Sequence, residues 1–230
     1  MIKNKNTGQI IVISAPSGAG KGTIIKKLLE NNSKQRWLSI SATSRDKREG
    51  EIEGINYYYL TKEDFKKKID EDYFLEYAEY AGNYYGTPRE YIKDKINKGI
   101  DVILEIEIQG AAKIKKLIPE ALFIFIMPPS LKELVRRLKK RGTETNEKII
   151  KRFNTAYKEV NEVTKYNYVV VNDKIETAVD KIESIIKAEK CRVDRIEEVY
   201  LDTKEEEIHE LLMDSEFDNS GLGDKIWKNK

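Results

Sequence analysis

The clearest chemistry in this chain lies in a glycine-rich segment near the N-terminus, residues 10–23. It reads Ile-Ile-Val-Ile-Ser-Ala-Pro-Ser-Gly-Ala-Gly-Lys-Gly-Thr, which predicts a buried strand, a small-residue loop and the start of a helix. In that order these elements bring the N–H groups of the loop and the helix N-terminus to one spot, where a phosphate can bind. Gly18 and Gly20 allow close approach of the backbone. Lys21 adds a mobile positive charge, and Thr23 adds a hydroxyl for a phosphate or a hydrated magnesium ion.

The segment departs from the P-loop pattern at two positions. Ala15 stands where the pattern has its first glycine, and Gly22 separates Lys21 from the hydroxyl residue Thr23. The alternative interpretation is an ordinary strand-to-helix turn with a surface lysine. The order of strand, loop and helix favours the phosphate loop.

Composition excludes several other kinds of site. The 230 residues include one cysteine, Cys191, and one histidine, His209, so we expect no intrachain disulfide, cysteine metal cluster or Ser-His-Asp triad. The apolar stretches are too short to cross a bilayer, and the N-terminus has no signal-peptide core. We therefore expect a cytoplasmic protein with no membrane partner.

Charge is distributed unevenly along the chain. The net charge is +2, but residues 191–230 hold 6 Lys and Arg against 12 Asp and Glu, so the remainder carries +8. A basic body suits phosphate ligands. Because no aromatic-studded RNA motif or recognition helix is evident, we expect no nucleic-acid partner. The oligomeric state is not indicated by the sequence.

Apolar runs alternate with helical patterns over most of the chain, which predicts an α/β fold with a parallel sheet and helices on both faces. The predicted strands are Gln9–Ser14, Leu38–Ser41, Val102–Ile106, Leu122–Met127 and Tyr168–Val171. The predicted helices are Gly22–Asn31, Arg89–Lys98, Ala111–Leu117, Leu131–Lys140, Glu147–Thr164 and Thr177–Glu189, with a capping box of Ser130 and Glu133 before the fourth.

Two inserts and a tail interrupt this alternation. Residues 41–99 contain short aromatic-rich strands around one helix, which predicts a small mixed β/α insert. Residues 137–152 have basic helix ends around a polar turn and predict a second insert. We therefore expect one domain over 1–190, with its core in 1–40, 100–136 and 153–190. The acidic extension 191–230 is expected to be helical near Ile196–Met213 and then frayed.

A second group of polar residues could bind an anion and a base. Arg45 and Arg48 lie three apart in a polar loop, with Tyr57 downstream, and guanidinium pairs bind phosphate well, although two arginines alone favour a solvated loop. Glu105 follows an apolar run. A carboxylate that points inward from a strand is rarely unpaired, and one near a phosphate loop would help to organise magnesium.

With these motifs the chain resembles guanylate kinases over about residues 9–189. The matching segments are Ser14–Thr23, Ser41-Ala42-Thr43-Ser44-Arg45 through Arg48, Gly50-Glu51, Gly82–Thr87, Gln109-Gly110, Pro128-Pro129-Ser130, Arg141-Gly142 and Val171-Asn172-Asp173. The resemblance implies a P-loop fold with a GMP-binding insert and a lid, ATP and GMP (with dGMP) as substrates, and magnesium as cofactor.

The resemblance also implies roles for individual residues. ATP would bind Ala15, Pro16, Ser17, Gly18, Ala19, Gly20, Lys21, Gly22, Thr23 and Asn172. The GMP phosphate would contact Arg45, Arg48, Tyr57 and Tyr85; the base would contact Glu76, Thr87 and Ser41; Glu105 and Glu107 would also face GMP. Lys21 and the lid arginines Arg137, Arg141 and Arg152 would act in catalysis, with Thr23 and Glu105 near magnesium.

The chain also departs from the family. Glu105 and Glu107 stand where Asp-x-Asp is usual, Lys47 replaces a usual proline, and the acidic extension has no counterpart that we can name. Two alternatives stay open: a non-catalytic guanylate-kinase-like module that binds proteins, and a kinase for another monophosphate such as dGMP or IMP.

Overall fold

The structure is a computed structural model that describes residues 2–4, 7–32, 34–80, 82–140 and 146–199. It divides into two compact units. The larger comprises Asn6–Glu189, and the smaller combines Met1–Lys5 with Lys190–Lys230.

A five-stranded parallel sheet forms the centre of the larger unit. Its strands are β2 (Ile10–Ser14), β3 (Arg36–Leu38), β8 (Asp101–Glu105), β9 (Leu122–Met127) and β10 (Tyr168–Val171). They are arranged in the order β10-β9-β2-β8-β3, so the strand that leads into the glycine-rich loop is central. Its continuous apolar run is buried because parallel strands are covered on both faces.

Seven α-helices are described: α1 (Lys21–Asn31), α2 (Lys62–Asp70), α3 (Arg89–Asn97), α4 (Ile108–Leu117), α5 (Leu131–Lys140), α6 (Asn146–Val160) and α7 (Ile175–Glu189). One side of the sheet packs against α1 and α7 through side chains such as Leu28 and Ile182. The other side packs against α3 and α4 through Ile92 and Ile114. The predicted doubly covered parallel sheet is therefore confirmed.

A second sheet forms the insert. Its strands are β4 (Ala42–Thr43), β5 (Tyr58–Tyr59), β6 (Phe74–Tyr80) and β7 (Asn83–Pro88), in the order β5-β4-β7-β6. The β4–β5 pair is parallel and the other two pairs are antiparallel.

An aromatic core holds this insert together. Phe65 on α2 is fully buried and stacks on Phe74 and Tyr84, with ring centroids 4.4 and 5.4 Å away. Gly86 is required beneath these rings, since a Cβ there would lie 2.9 Å from Phe65 Cζ.

The smaller unit contains one described strand pair, β1 (Ile2–Asn4) with β11 (Ile196–Val199), in antiparallel register. The prediction of a helix from Ile196 was therefore wrong over 196–199, and the rest of that helix lies outside the described residues. The run Ile-Glu-Glu-Val is too short for its periodicity to distinguish a strand from a helix, and the partner strand is almost two hundred residues away in the sequence.

Other elements begin or end at residues that differ from the predicted ones. The strand predicted at Leu38–Ser41 is β3 at Arg36–Leu38, and the helix predicted at Glu147–Thr164 ends at Val160 and continues as a 3₁₀ helix over Asn161–Lys165. The capping interaction before α5 is half confirmed: the Glu133 N–H donates to Ser130 Oγ at 3.1 Å, but the Glu133 carboxylate binds arginines instead.

Candidate active site

The loop between β2 and α1 has two glycines in a backbone conformation that other residues rarely adopt. Gly18 and Gly20 have φ of 92° and 93°, in the left-handed region that favours glycine. A Cβ on Gly20 would also lie 2.5 Å from Asn172 Nδ2. The loop conformation therefore depends on the absence of a side chain at this position.

Two carboxylates face Lys21 at the carboxyl edge of the sheet. Lys21 Nζ lies 4.0 Å from Glu105 Oε1 and 3.9 Å from Glu107 Oε1. Lys21 and Glu105 lie close together because the parallel register pairs Ile13, near the end of β2, with Glu105, at the end of β8. The sequence suggested that Glu105 points inward, and this was wrong. Glu105 is the last residue of β8, and its side chain is 35% exposed because the chain leaves the sheet there.

A cavity of about 550 Å³ opens between the loop, these carboxylates and helix α6. The helix contacts Ser17 of the loop twice. Arg152 Nη2 donates to Ser17 Oγ at 2.9 Å, and the Ser17 N–H donates to Glu159 Oε2 at 3.2 Å. Burial raises the pKa of Glu159. The structure thus brings the predicted residues Lys21, Glu105 and Arg152 together around this cavity, along with Thr23 and Glu107.

On the other side of the loop, two side chains donate hydrogen bonds to the same backbone carbonyl. Asn172 Nδ2 donates to the Ala19 carbonyl at 2.7 Å, and Arg137 Nη1 donates to it at 3.3 Å. Arg137 also donates to the Asn172 carbonyl and to Glu133. A second cavity of about 580 Å³ lies beside these residues. Both residues therefore brace the loop, a role that the sequence did not suggest.

Glu76 and Thr87 face each other across the β6–β7 pair of the insert. Thr87 Oγ1 donates to Glu76 Oε1 at 2.7 Å, and both side chains are buried. Burial raises the pKa of Glu76, while the bond from Thr87 opposes that rise. Gly110 on α4 approaches the same carboxylate closely, since a Cβ there would lie 3.1 Å from Glu76 Oε2.

The predicted phosphate-binding residues of the insert cluster around Arg45. Its guanidinium lies 5.4 Å from the centroid of Tyr57, and the Tyr57 and Tyr85 rings meet edge to face at 6.1 Å. Burial raises the pKa of Tyr57, and the neighbouring Tyr85 and Glu105 add to that rise, while the charge of Arg45 opposes it. Arg48 is exposed.

The remaining predicted residues are less informative. Ser41 contributes its carbonyl to the Tyr58 N–H at 2.9 Å. Arg141 lies outside the described residues.

Sequence reasoning missed Glu51 and Glu159. Glu51 was in a segment that matches the family but was given no role, and its spacing of three from Arg48 was the available signal. No short-range signal points to Glu159.

A glycine-rich loop and lysine at the carboxyl end of a central parallel strand, with an insert that groups Arg45, Tyr57 and Tyr85, define the class of P-loop nucleotide-binding α/β proteins. A sequence model of the family described as guanylate kinase matches residues 7–189. The chain therefore belongs to the guanylate kinase family.

Individual relatives agree with this assignment. The guanylate kinase of Clostridium perfringens (strain SM101 / Type A) is 56% identical over 213 residues, which cover 93% of this chain and 98% of that protein. That of Clostridium tetani (strain Massachusetts / E88) is 58% identical over 207 residues, or 90% and 99%. The crystal structure of guanylate kinase from Anaplasma phagocytophilum superimposes with a TM-score of 0.70 at 34% identity, covering 93% of this chain and 98% of that one.

These alignments correct one expectation about the acidic extension. An alignment of 213 residues is longer than residues 1–190, so it includes part of the segment beyond Cys191. That part has a counterpart in the clostridial relatives. Among the described residues, none of the helices has the length and apolar character needed to cross a membrane.

Proposed function

We propose that this chain transfers the γ-phosphoryl group of ATP to GMP, giving ADP and GDP, through the site around Lys21. Family membership over nearly the whole chain supports ATP-dependent phosphorylation of GMP as the activity. The observation that carries the residue assignments is the position of Lys21, which lies at the phosphate loop and within 4.0 Å of the carboxylates that end β8.

The donor side is the loop of residues 15–23. Its N–H groups and Lys21 bind the ATP phosphates, and Asn172 acts with Arg137 by fixing the Ala19 carbonyl. Holding that carbonyl keeps the loop open toward the ligand, which is preorganisation before ATP arrives. The cavity beside Asn172 has room for the nucleoside of ATP.

The donor set also fits a magnesium ion. Thr23, Glu105 and Glu107 offer oxygen atoms beside the loop, and the described residues contain no group of three or more His, Cys, Asp or Glu placed to hold a metal. That suits magnesium, which takes one or two carboxylates together with substrate phosphates rather than a full protein cage. Such an ion would neutralise charge on the phosphates.

The acceptor side is the insert. Arg45, Arg48, Tyr57 and Tyr85 bind the GMP phosphate, and Glu76 reads the base with Ser41 and Thr87. A carboxylate accepts the adjacent N1–H and N2–H donors of guanine, whereas the N1 acceptor of adenine would repel it. Because Thr87 donates to Glu76, it orients the carboxylate for this task. The same contacts admit dGMP.

Catalysis then needs alignment and charge neutralisation. The acceptor phosphate oxygen is already anionic, so no general base is required. Lys21 follows the transferring group, and Arg152 reaches the loop from α6. Arg141 would complete the set, with Arg137 acting through the loop. Closure of the lid over both nucleotides would keep water from taking the phosphoryl group. The single exposed cysteine is compatible with a cytoplasmic setting.

A substrate panel tests the proposal. ATP and magnesium are incubated with GMP, dGMP, IMP, AMP and UMP, and ADP release is followed. GMP should give the highest kcat/KM, and AMP and UMP should be poor. Lys21→Met should fold normally but lose about 10²–10³ in kcat, as expected when one transition-state cation is removed. Near-normal turnover by this variant would contradict the assigned role of Lys21.

A further inference from the structure

Glu51 holds a position for which neither the resemblance nor the proposed function gives a role. It lies in the irregular segment between β4 and β5, and its side chain is 19% exposed. One oxygen, Oε1, accepts a hydrogen bond from Arg45 Nη2 at 2.9 Å. The other, Oε2, accepts from the Arg48 N–H at 2.9 Å and from the Tyr59 hydroxyl at 2.8 Å. A single carboxylate thus joins three parts of the insert.

We infer that Glu51 is a positioning residue that sets the Arg45 guanidinium and the Arg48 turn for the phosphate of GMP. This inference rests on the proposed function, in which Arg45 binds that phosphate.

The contacts of Arg45 show how the positioning works. Its guanidinium is held in plane by Glu51 and by the Asp46 carbonyl, to which Nη1 donates at 2.6 Å. The rings of Tyr57 and Tyr59 lie beside it, with centroids 5.4 and 6.0 Å from Cζ. A guanidinium has five N–H donors, so two bonds leave others for a phosphate. A side chain fixed in this way loses little entropy when its ligand binds.

The backbone of the segment is fixed by the same residue. The Glu51 N–H donates to the Arg48 carbonyl at 3.2 Å, while the Glu51 carboxylate accepts from the Arg48 N–H. This reciprocal pair closes a turn over residues 48–51. Lys47 leaves the segment without the conformational restriction that a proline would impose there. The turn closed by Glu51 supplies that restriction instead.

Glu51 also stays charged under working conditions. The hydrogen bond from Arg45 holds its pKa at about 2, so it does not titrate near neutrality. Both oxygens must therefore be acceptors. Glutamine cannot replace it, because its amide NH₂ would face either Arg45 or the Arg48 N–H, donor against donor, whichever way the amide is turned.

Binding and kinetics of Glu51→Gln test this inference, with Glu49→Gln as the matched control. Glu49 is exposed and lies two residues away, so its variant removes the same charge from the same segment. Calorimetry should give a GMP Kd at least about tenfold higher for Glu51→Gln than for Glu49→Gln. The ATP Kd and kcat at saturating GMP should stay near wild type, because the change affects one ligand's phosphate pocket, and the melting temperature should fall only slightly, because the segment that loses these bonds lies at the surface.

Each other outcome has a defined meaning. Equal GMP affinity in the two variants would overturn the inference. A tighter GMP Kd in Glu51→Gln would also overturn it, since the carboxylate would then compete with the phosphate. So would a parallel loss of ATP affinity and melting temperature, which would indicate a purely structural role. A wild-type protein that neither binds nor phosphorylates GMP would instead refute the proposed function.

Discussion

The backbone N–H of Ser17 donates to the Glu159 carboxylate across 3.2 Å, so a carboxylate lies against the loop that we propose binds the ATP phosphates. Burial raises the pKa of Glu159, the charge of Glu107 adds to that rise, and the bond from Ser17 opposes it. The folded protein therefore holds the Glu159 proton more tightly than the unfolded chain does. The contribution of this proton to the stability of the folded protein is present at low pH and is lost as the pH rises through the raised pKa.

Glu159→Gln should reveal this linkage. Glutamine resembles the neutral acid and can still accept a hydrogen bond from Ser17. The melting temperature of the variant minus that of wild type should therefore be higher at about pH 8 than at about pH 5. Thermal melts at the two pH values measure the difference. Glu147→Gln, an exposed change on the same helix, should show no such trend. Identical offsets at both pH values would contradict the prediction.

Gly20→Ala should destabilise the phosphate loop. The substitution places a Cβ 2.5 Å from Asn172 Nδ2 at a residue with φ of 93°. We expect the free energy of unfolding to fall by about 1–3 kcal/mol, with weaker ATP binding. Denaturant unfolding measures the change. Gly22→Ala is the matched control for stability, since its nearest contact would be an ordinary 3.9 Å to Glu105 Oε1. Equal stability of the two variants would show that the loop relaxes around the new Cβ.

Glu183→Gln should weaken the link between β3 and α7. Arg36, almost fully buried, makes two hydrogen bonds to the Glu183 carboxylate, at 2.5 and 2.7 Å. An amide can accept only one of these, and an unsatisfied buried donor costs about 1–3 kcal/mol.

The pH dependence of this effect has a definite sign. The bonds from Arg36 lower the pKa of Glu183 below 4.5, so the contribution to stability is present above that pH and is lost as the pH falls through the lowered value. The difference in unfolding free energy between wild type and variant should thus be largest near neutrality and shrink in acid. Glu30→Gln, which affects an exposed pair with Lys27, should change little at any pH. A constant difference from neutral to acid pH would argue against the ion pair.

Thr87→Val should impair recognition of guanine without affecting ATP. The variant keeps the shape but removes the hydroxyl that donates to buried Glu76 at 2.7 Å. A hydrogen bond to a charged group contributes about 1.5–3 kcal/mol, so kcat/KM for GMP should fall about 10- to 100-fold. Steady-state kinetics with GMP and AMP measure the loss and the change in selectivity. An unchanged kcat/KM for GMP would mean that Glu76 needs no orienting partner.

Four of the five strands of the main sheet could be predicted because β2, β8, β9 and β10 are apolar runs that a helical pattern follows. The exception is β3, Arg36–Leu38, which contains an arginine and is followed by the strands of the insert, so its position was predicted wrongly. The run from Ile10 to Ile13 alone identifies a strand buried on both faces. The positions of Lys21 and Glu105 followed from the rule that parallel strands end at one edge. Local periodicity and a general rule of topology were sufficient for these features.

Long-range contacts lay beyond local patterns. The bond between Ser17 and Glu159 joins residues 142 apart, and the pairing of Ile2 with Val199 joins the two ends of the described chain. The use of Arg137 to brace Ala19 was also missed, because an arginine near a phosphate loop resembles a ligand until its acceptors are known.

Strand β6 joins two different interiors. Phe74 belongs to the aromatic cluster of the insert, whereas its neighbour Leu75 packs with the hydrophobic cluster that includes Phe123 and lies against the main sheet. Successive strand residues face opposite ways, so one short run of chain is shared by both. A bulky substitution at Leu75 would therefore push the insert away from the cluster beneath the main sheet and displace the adjacent Glu76 with it.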